Sequence, residues 1–309
     1  LLPVTSPTTA LNLYLSGAAD VVWDKELVPV ELIDVLRQRP DFQSFNYLAT
    51  YFFRFNLQRK PFDDVRVRKA LVLAIDKRHI VEKITRGNER VANGLVPPGL
   101  PNYASPPGLE YNPREARRLL AEAGYPGGAG FPPFHYHFNN VKNQENIAVQ
   151  IQAMWQRELG IHADLRAQEW KVYLNTQGKR DYDISRSSWI GDYNDPTTFL
   201  DLFMSNNPNN RTGWASTNYD KLMRRAAAEP DVAKRAGFLR QAEALLVTEE
   251  VPIVPIYFFA GLEYYNRASV KGIFPNLRAE HPIRTIYKTA ATSVAGAGKR
   301  QMAVSASPQ

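Results

Sequence analysis

Between residues 134 and 189 strand-like and helix-like segments alternate, each closed by a hard stop, and this limits the fold more than any other feature of the chain. Residues 134–139 read as a strand. Ile147, Ile151, Met154 and Trp155 then recur at helical spacing, and Gly160 ends that stripe. Ile161, Ala163, Leu165 and Ala167 alternate with His162, Asp164 and Arg166, the period of a strand with one wet face. A helix over 170–176 leads into a strand over 183–189. Strand–helix–strand alternation at this spacing predicts an α/β layered domain.

The surrounding segments fit that frame. Residues 8–17 read as a short amphipathic helix, and 34–41 as a second that closes at Pro40. Residues 47–56 are aromatic and apolar with a weak period of two, which predicts a strand. Asp63 or Asp64 caps a helix whose stripe is Val67, Ala70, Leu71, Ala74 and Ile75, and Asp76 caps the next. Residues 94–107 form a Pro/Gly-rich loop. Asn112-Pro113-Arg114-Glu115 is a helix start with cap, N1 proline and capping-box Glu. Helices are expected over 198–204, 219–228 and 232–248, and strands over 251–257 and 270–274. From residue 290 the chain is small, polar and aperiodic, the composition of a disordered tail.

Composition narrows the function. The chain of 309 residues carries a formal net charge of +7, but its Lys and Arg are spread along its length among Asp and Glu. That pattern reads as a solvated basic surface and not as a nucleic-acid footprint. Cysteine is absent, which excludes disulfides, thiol catalysis and zinc–thiolate sites. The longest apolar stretch, 251–262, is too short to span a bilayer and is broken by Pro252 and Pro255. The chain opens on Leu1-Leu2-Pro3 with neither an initiating Met nor a polar leader, so it is read as a piece whose N-terminal part is missing.

Motifs for chemistry are sparse. His135 and His137 share one strand face, half of a metal site, but no third ligand stands at suitable spacing. No phosphate loop, nucleophile elbow or zinc helix motif occurs. Asp181 and Asp183 bracket a strand start, where solvation explains them. Residues 185–200 are the informative stretch. Trp189, Asp192 and Tyr193 sit at a strand end, where α/β domains place ligands, and an acid beside two rings can hold an organic cation. A turn-capping Asp with core aromatics explains the same residues and is, on composition alone, the simpler account.

Four segments shift that balance. Pro61-Phe62-Asp63-Asp64-Val65-Arg66-Val67-Arg68-Lys69-Ala70-Leu71, running on to Ala74-Ile75-Asp76-Lys77, is the first. Asn93-Gly94-Leu95-Val96-Pro97-Pro98-Gly99, the 111–125 helix ending in Ala-Gly-Tyr, and Trp189 to Pro196 follow in order. Together they resemble the oligopeptide/dipeptide-binding proteins of ABC importers, the bacterial extracellular solute-binding proteins of family 5, from about Thr8 to Lys288. The resemblance implies a periplasmic-binding-protein-like α/β fold (type II, cluster C), incomplete at its N-terminus. Residues 1–50 would end lobe I, 51–262 form lobe II, 263–288 return into lobe I, and 289–309 form the tail. The apolar residues Leu11, Leu13, Val21, Val22, Phe42 and Phe45 would then lack a complete core.

The resemblance also implies a role for each site residue. Asp192 would hold a peptide α-amino group, with Trp189 and Tyr193 beside it. The backbone of Ser187, Ser188, Ile190 and Gly191, with Trp189, would pair with an extended peptide. Arg186 would meet a carboxylate, Trp170 would line the pocket, and Asn139 would be a polar contact at a strand end. Gln177 and Gln144 depart from the basic residue and the His that well-known oligopeptide binders have nearby. No enzymatic activity, cofactor, metal or nucleic acid is implied. The partners would be a short peptide and a membrane permease, the protein a monomer at full length, its location periplasmic or extracellular. Relatives of this fold also bind nickel complexes, haem or other solutes, and a chaperone or sensor use of the same lobe is open.

Overall fold

The structure is a computed structural model that describes residues 2–24, 27–274 and 276–289. The tail expected from residue 290 lies outside the described residues. Among the described residues nine strands appear in chain order: β1 (Val21–Val22), β2 (Phe42–Phe55), β3 (Arg90–Val91), β4 (Phe134–Asn139), β5 (Ala163–Gln168), β6 (Ile184–Ile190), β7 (Ile253–Tyr265), β8 (Val270–Lys271) and β9 (Tyr287–Lys288). The α-helices are α1 (Pro7–Leu15), α2 (Ile33–Leu36), α3 (Val65–Leu73), α4 (Lys77–His79), α5 (Pro113–Glu122), α6 (Lys142–Leu159), α7 (Trp170–Gly178), α8 (Thr197–Leu200), α9 (Thr217–Ala228) and α10 (Val232–Ala244).

One mixed sheet organises the molecule, with strand order β1-β7-β2-β6-β4-β5 and β3 also on β7. β2 and β7 run antiparallel, and their register shifts between Asn46 and Thr50 and again between Tyr51 and Phe52. β6 is antiparallel to β2, whereas β4 is parallel to both β5 and β6. The β4–α6–β5–α7–β6 succession is the strand–helix alternation expected from the sequence.

Two apolar layers enclose the sheet. Tyr51, Phe53 and Phe55 of β2 join a cluster with α3, α5 and α6 that includes Trp155, fully buried with its Nε1 donating to the Leu71 carbonyl at 3.0 Å. Phe52 belongs instead to a cluster with α9, α10 and the segments around Leu95 and Phe199. Alternate residues of one strand therefore feed opposite cores, and each large side chain so enclosed contributes about 1.5–3 kcal/mol. A third, smaller cluster joins Ala10, Leu11, Val22, Val28, Ile33 and Leu36 to Ala260, Leu262 and Tyr264 of β7.

Several expectations are corrected. β2 begins at Phe42, not at 47, and from Leu48 onward it is buried on both faces, so it has no wet face. β7 continues past 257 to Tyr265. The strand over 270–274 shrinks to two residues. Gly272 has φ +82°, and a Cβ there would meet the Thr285 carbonyl at 1.8 Å, so the chain turns away at that point. The helix expected over 34–41 is one turn, Ile33–Leu36, and that over 198–204 splits at Asp201. Asn112 caps α5 by accepting from the Glu115 N–H at 3.1 Å, but the box is not reciprocal. Glu115 pairs Arg118, and the Asn112 N–H goes to the Leu73 carbonyl. Leu11 and Val22 do find a core, on β7, while Leu13, Val21, Phe42 and Phe45 are half-buried.

Candidate functional site

The site grows from an interruption in the sheet. β6 pairs with β2 along its whole length, from Ile184 opposite Phe55 to Ile190 opposite Ala49. On its other side it pairs with β4 only at Ile184 and Ser185. From Arg186 to Ile190 that edge carries no strand among the described residues. α7 lies beside its start: the Tyr173 hydroxyl donates to the Arg186 carbonyl, and Gln177 Nε2 donates to the same oxygen at 2.7 Å and to Ser185 Oγ at 2.9 Å. Gln177 thus pins the strand to the helix, and Gln144, the other departure, accepts from the buried Tyr51 hydroxyl at 2.7 Å.

A cavity of about 170 Å³ opens on this edge, and it gathers Trp170, Arg186, Ser187, Ser188 and Trp189. Arg186 is buried, with its guanidinium 5.2 Å from the centre of the Tyr51 ring. Trp189 is half-buried against the Phe52-side core, and its Nε1 has no hydrogen-bond partner. Trp170 is exposed and stacks on Tyr173 with centroids 5.7 Å apart. Arg54, Asn209 and Arg211 line the same cavity and were not singled out in the sequence. Burial holds the Arg54 guanidinium below its usual range against the opposing phenols of Tyr182 and Tyr173, and the Arg211 cation adds to the depression. The available signal was Arg54 itself, a charge inside an otherwise apolar strand.

The rest of the motif forms the end of β6. Gly191 donates to the Leu48 carbonyl at 2.8 Å, and a Cβ on it would meet Leu48 at 2.6 Å, so this close approach needs glycine. The Asp192 N–H goes to Thr198 Oγ1 at 2.9 Å, and its carbonyl accepts from Arg278. The Asp192 carboxylate is exposed and makes no hydrogen bond among the described residues. Asp195, not Asp192, is the capping acid of the turn. It accepts from the Thr197 N–H at 3.0 Å and from both terminal nitrogens of Arg235 at 2.8 Å. Ile190 and Tyr193 are exposed, and the Tyr193 hydroxyl lies 3.3 Å from Thr197 Oγ1. Asn139 ends β4, buried, with its Oδ1 unpartnered; it does not line the cavity.

Other candidates resolve into structure. Asp181 and Asp183 are not merely solvated: Arg59 bridges them at 2.6 and 3.1 Å. Asp183 also accepts from the His135 backbone at 2.9 Å. Burial, with His135 adding to it, brings His137 down to about 4. No group of three or more His, Cys, Asp or Glu is placed to hold a metal among the described residues. The loop starting at Asn93 is tied down by buried Glu243, which accepts from the Leu95 and Val96 N–H groups at 2.6 and 2.9 Å and from the Tyr103 and Ser105 hydroxyls.

Comparison with known proteins places this geometry. Residues 1–211 match the family model described as bacterial extracellular solute-binding proteins, family 5 Middle. The chain is 32% identical over 291 residues to the dipeptide-binding protein DppE of Bacillus subtilis, covering 91% of this chain and 51% of that protein. It is 31% identical over 294 residues to the periplasmic oligopeptide-binding protein OppA of Salmonella typhimurium, covering 93% and 52%. Among solved structures, the periplasmic oligopeptide-binding protein OppAIV of Borrelia burgdorferi superposes with a TM-score of 0.82 at 31% identity, covering 93% of this chain and 57% of that one. Haemophilus influenzae OppA in complex with RPPGFSPFR gives 0.79 at 28% identity, covering 93% and 57%. The chain spans about half the length of the curated relatives it matches.

Proposed function

Since the chain belongs to the bacterial extracellular solute-binding proteins of family 5, we propose that it binds short peptides in extended form and serves an ABC importer. The open edge of β6 from Ser187 to Ile190, beyond the Arg186 carbonyl that Tyr173 and Gln177 hold, carries this reading. An unpaired strand edge presents N–H and C=O groups two residues apart, and an extended peptide satisfies them as an added strand. Main-chain pairing of this kind gives affinity without reading side chains.

The peptide's α-ammonium is assigned to Asp192, whose carboxylate is unengaged by the described residues at the end of that edge. Trp189 and Trp170 desolvate the chain beside it, and Arg186 meets a carboxylate further along. Residues 51–262 would form one lobe. Residues 1–50 and 263–288 would belong to the other, with β2 and β7 running between the two. Closure of the lobes would bury the ligand, and a membrane permease would read the closed monomer in the periplasm or at the cell exterior. No covalent step enters the proposal.

The test is calorimetry on the longest form of the protein that its gene encodes. Asp192→Asn should weaken binding of an unmodified tetrapeptide by at least about tenfold, since losing one partner of a desolvated pair costs about 2–5 kcal/mol. N-acetylation of the peptide should weaken it comparably, with the melting temperature of the unliganded protein unchanged. Equal affinities for parent and variant would remove Asp192 from the site.

A further inference from the structure

The cavity beside β6 holds more positive charge than one peptide terminus neutralises. Arg54, Arg186 and Arg211 all line it, and none of its lining residues is acidic. Arg54 and Arg186 are only 4% and 8% exposed, and the Nε of each lacks a hydrogen-bond partner among the described residues. Arg54 donates to the Asn209 carbonyl at 3.0 Å and lies 5.4 Å from the Phe52 ring centre. Arg211 donates to Gln177 Oε1 at 3.3 Å.

Several other arginines are satisfied. Arg68, equally buried at 4%, donates to the carbonyls of Phe62, Asp63, Glu250 and Val251. Arg59 is paired with Asp181 and Asp183, and Arg235 with Asp195. Among the described residues, Arg54 and Arg186 combine burial with a guanidinium nitrogen that no acceptor meets. A buried guanidinium without a counter-ion costs free energy that an arriving carboxylate recovers through charge-assisted, often bidentate hydrogen bonds.

Two arguments fix the kind of anion. Arg186 and Arg54 rise from opposite faces of the sheet: Arg186 packs on Tyr51 of one core, and Arg54 on Phe52 of the other. One carboxylate at Arg186 leaves two positive charges unbalanced, so the ligand must bring a second. The cavity, about 170 Å³, is smaller than the roughly 300–1,000 Å³ typical of sites for whole small molecules. It suits one side chain of a ligand that lies outside it.

We infer that this cavity is an acidic side-chain subsite, in which Arg54 and Arg211 take the carboxylate of a Glu or Asp in the bound peptide while Arg186 is left to the terminal carboxylate. The inference rests on the peptide-binding reading above and adds a preference to it. Backbone pairing along β6 would hold any short peptide. The arginine cluster would then select those with an acid at the position that faces it.

Calorimetry on the same form of the protein tests this. The probes are tetra-alanine, its four single-Glu and its four single-Gln variants, each with a free or an amidated C-terminus. At one position Glu should bind about tenfold or more tighter than Gln, and amidation should leave that ratio standing. Arg211 is half-buried, so Arg211→Gln is the milder change. It should bring the ratio to about one. Arg211→Glu should reverse it, favouring a Lys peptide at that position over the Glu peptide. Equal binding of Glu and Gln at every position would overturn the subsite and leave the peptide reading intact. A ratio that disappears on amidation would assign the cluster to the terminal carboxylate alone and overturn it too. A ratio that survives Arg211→Gln would overturn the role of Arg211. Failure of every peptide to bind would overturn both readings.

Discussion

Residues 51–262 and the segments that flank them bury apolar surface in different ways. The central region has helices on both faces of its sheet and two separate clusters, in which Phe53, Trp155, Phe199 and Leu246 are wholly enclosed. Its polar interior is also tied down, as Glu243 shows by bracing the 95–105 loop. The flanks have one thin cluster, and part of it is lent by Ala260, Leu262 and Tyr264 of β7. Leu2, Leu15, Val35, Phe274, Ile283 and Tyr287 stay exposed there, and Leu2, Ile283 and Tyr287 line a cavity of about 630 Å³ shared by both flanks. The dependence therefore runs one way. The flanks lean on a strand whose other end is anchored centrally, and the centre borrows little in return.

That asymmetry can be broken experimentally, and Trp155→Ala is the strongest probe. It removes a fully buried ring and its bond to Leu71, which costs about 3–5 kcal/mol. Denaturant unfolding with hydrogen exchange should show protection lost in the centre and the flanks together. Flanks that keep their protection would be independent of β7. Glu243→Ala comes next, at about 3 kcal/mol, because four donors around a buried carboxylate lose their acceptor. Faster exchange at Leu95 and Val96 is the expected signature, and unchanged exchange there would deny Glu243 its bracing role.

Ile33→Ala probes the other side of the comparison. It deletes a fully buried residue of the thin cluster, at about 2 kcal/mol. Exchange should accelerate across residues 7–41 and hold steady in α3, α5 and α6. Acceleration in those helices would show that the dependence runs both ways. The smallest effect concerns pH. The folded pKa of His137, about 4, lies below that of an unfolded histidine near 6.5. The unfolded chain takes the proton first, so stability is lost as pH falls from about 6.5 towards 4. For a half-buried ring the loss is about 1 kcal/mol. His137→Gln should flatten that part of the stability curve, and parallel curves for variant and parent would exclude the effect.

Local chemistry made much of the centre legible. Asp64, Asp76 and Asn112 cap the helices they were expected to cap, and Gly160 ends α6, because each acts over three or four residues. The extents of β2 and β7 were not legible. Phe42-Gln43-Ser44-Phe45-Asn46 carries too little apolar pattern, and whether it pairs depends on Gly261 to Tyr264, more than two hundred residues away. The motif from Arg186 to Asp192 was readable as a strand end. The convergence of Arg54 and Arg211 upon it was not, since an arginine in a strand reads equally as a solvated face. Only the sheet order, which sets β2 beside β6, brings Arg54 to that edge.

The register shift in β2 has a mechanical consequence. Between Asn46 and Thr50 the pairing with β7 lapses, and ladder hydrogen bonds are what stiffen a ribbon against torsion. The lapse thus makes a crease in the ribbon, less stiff than the paired stretches on either side. Leu48 sits on that crease, its carbonyl holding Gly191 and its N–H bonded to the Leu277 carbonyl at 2.6 Å. One residue at the fold line is fastened both to the terminus of β6 and to the returning chain. Rotation of either half about the crease pulls on the strand end next to Asp192, so the angle between the halves and the shape of that strand end are geared to each other.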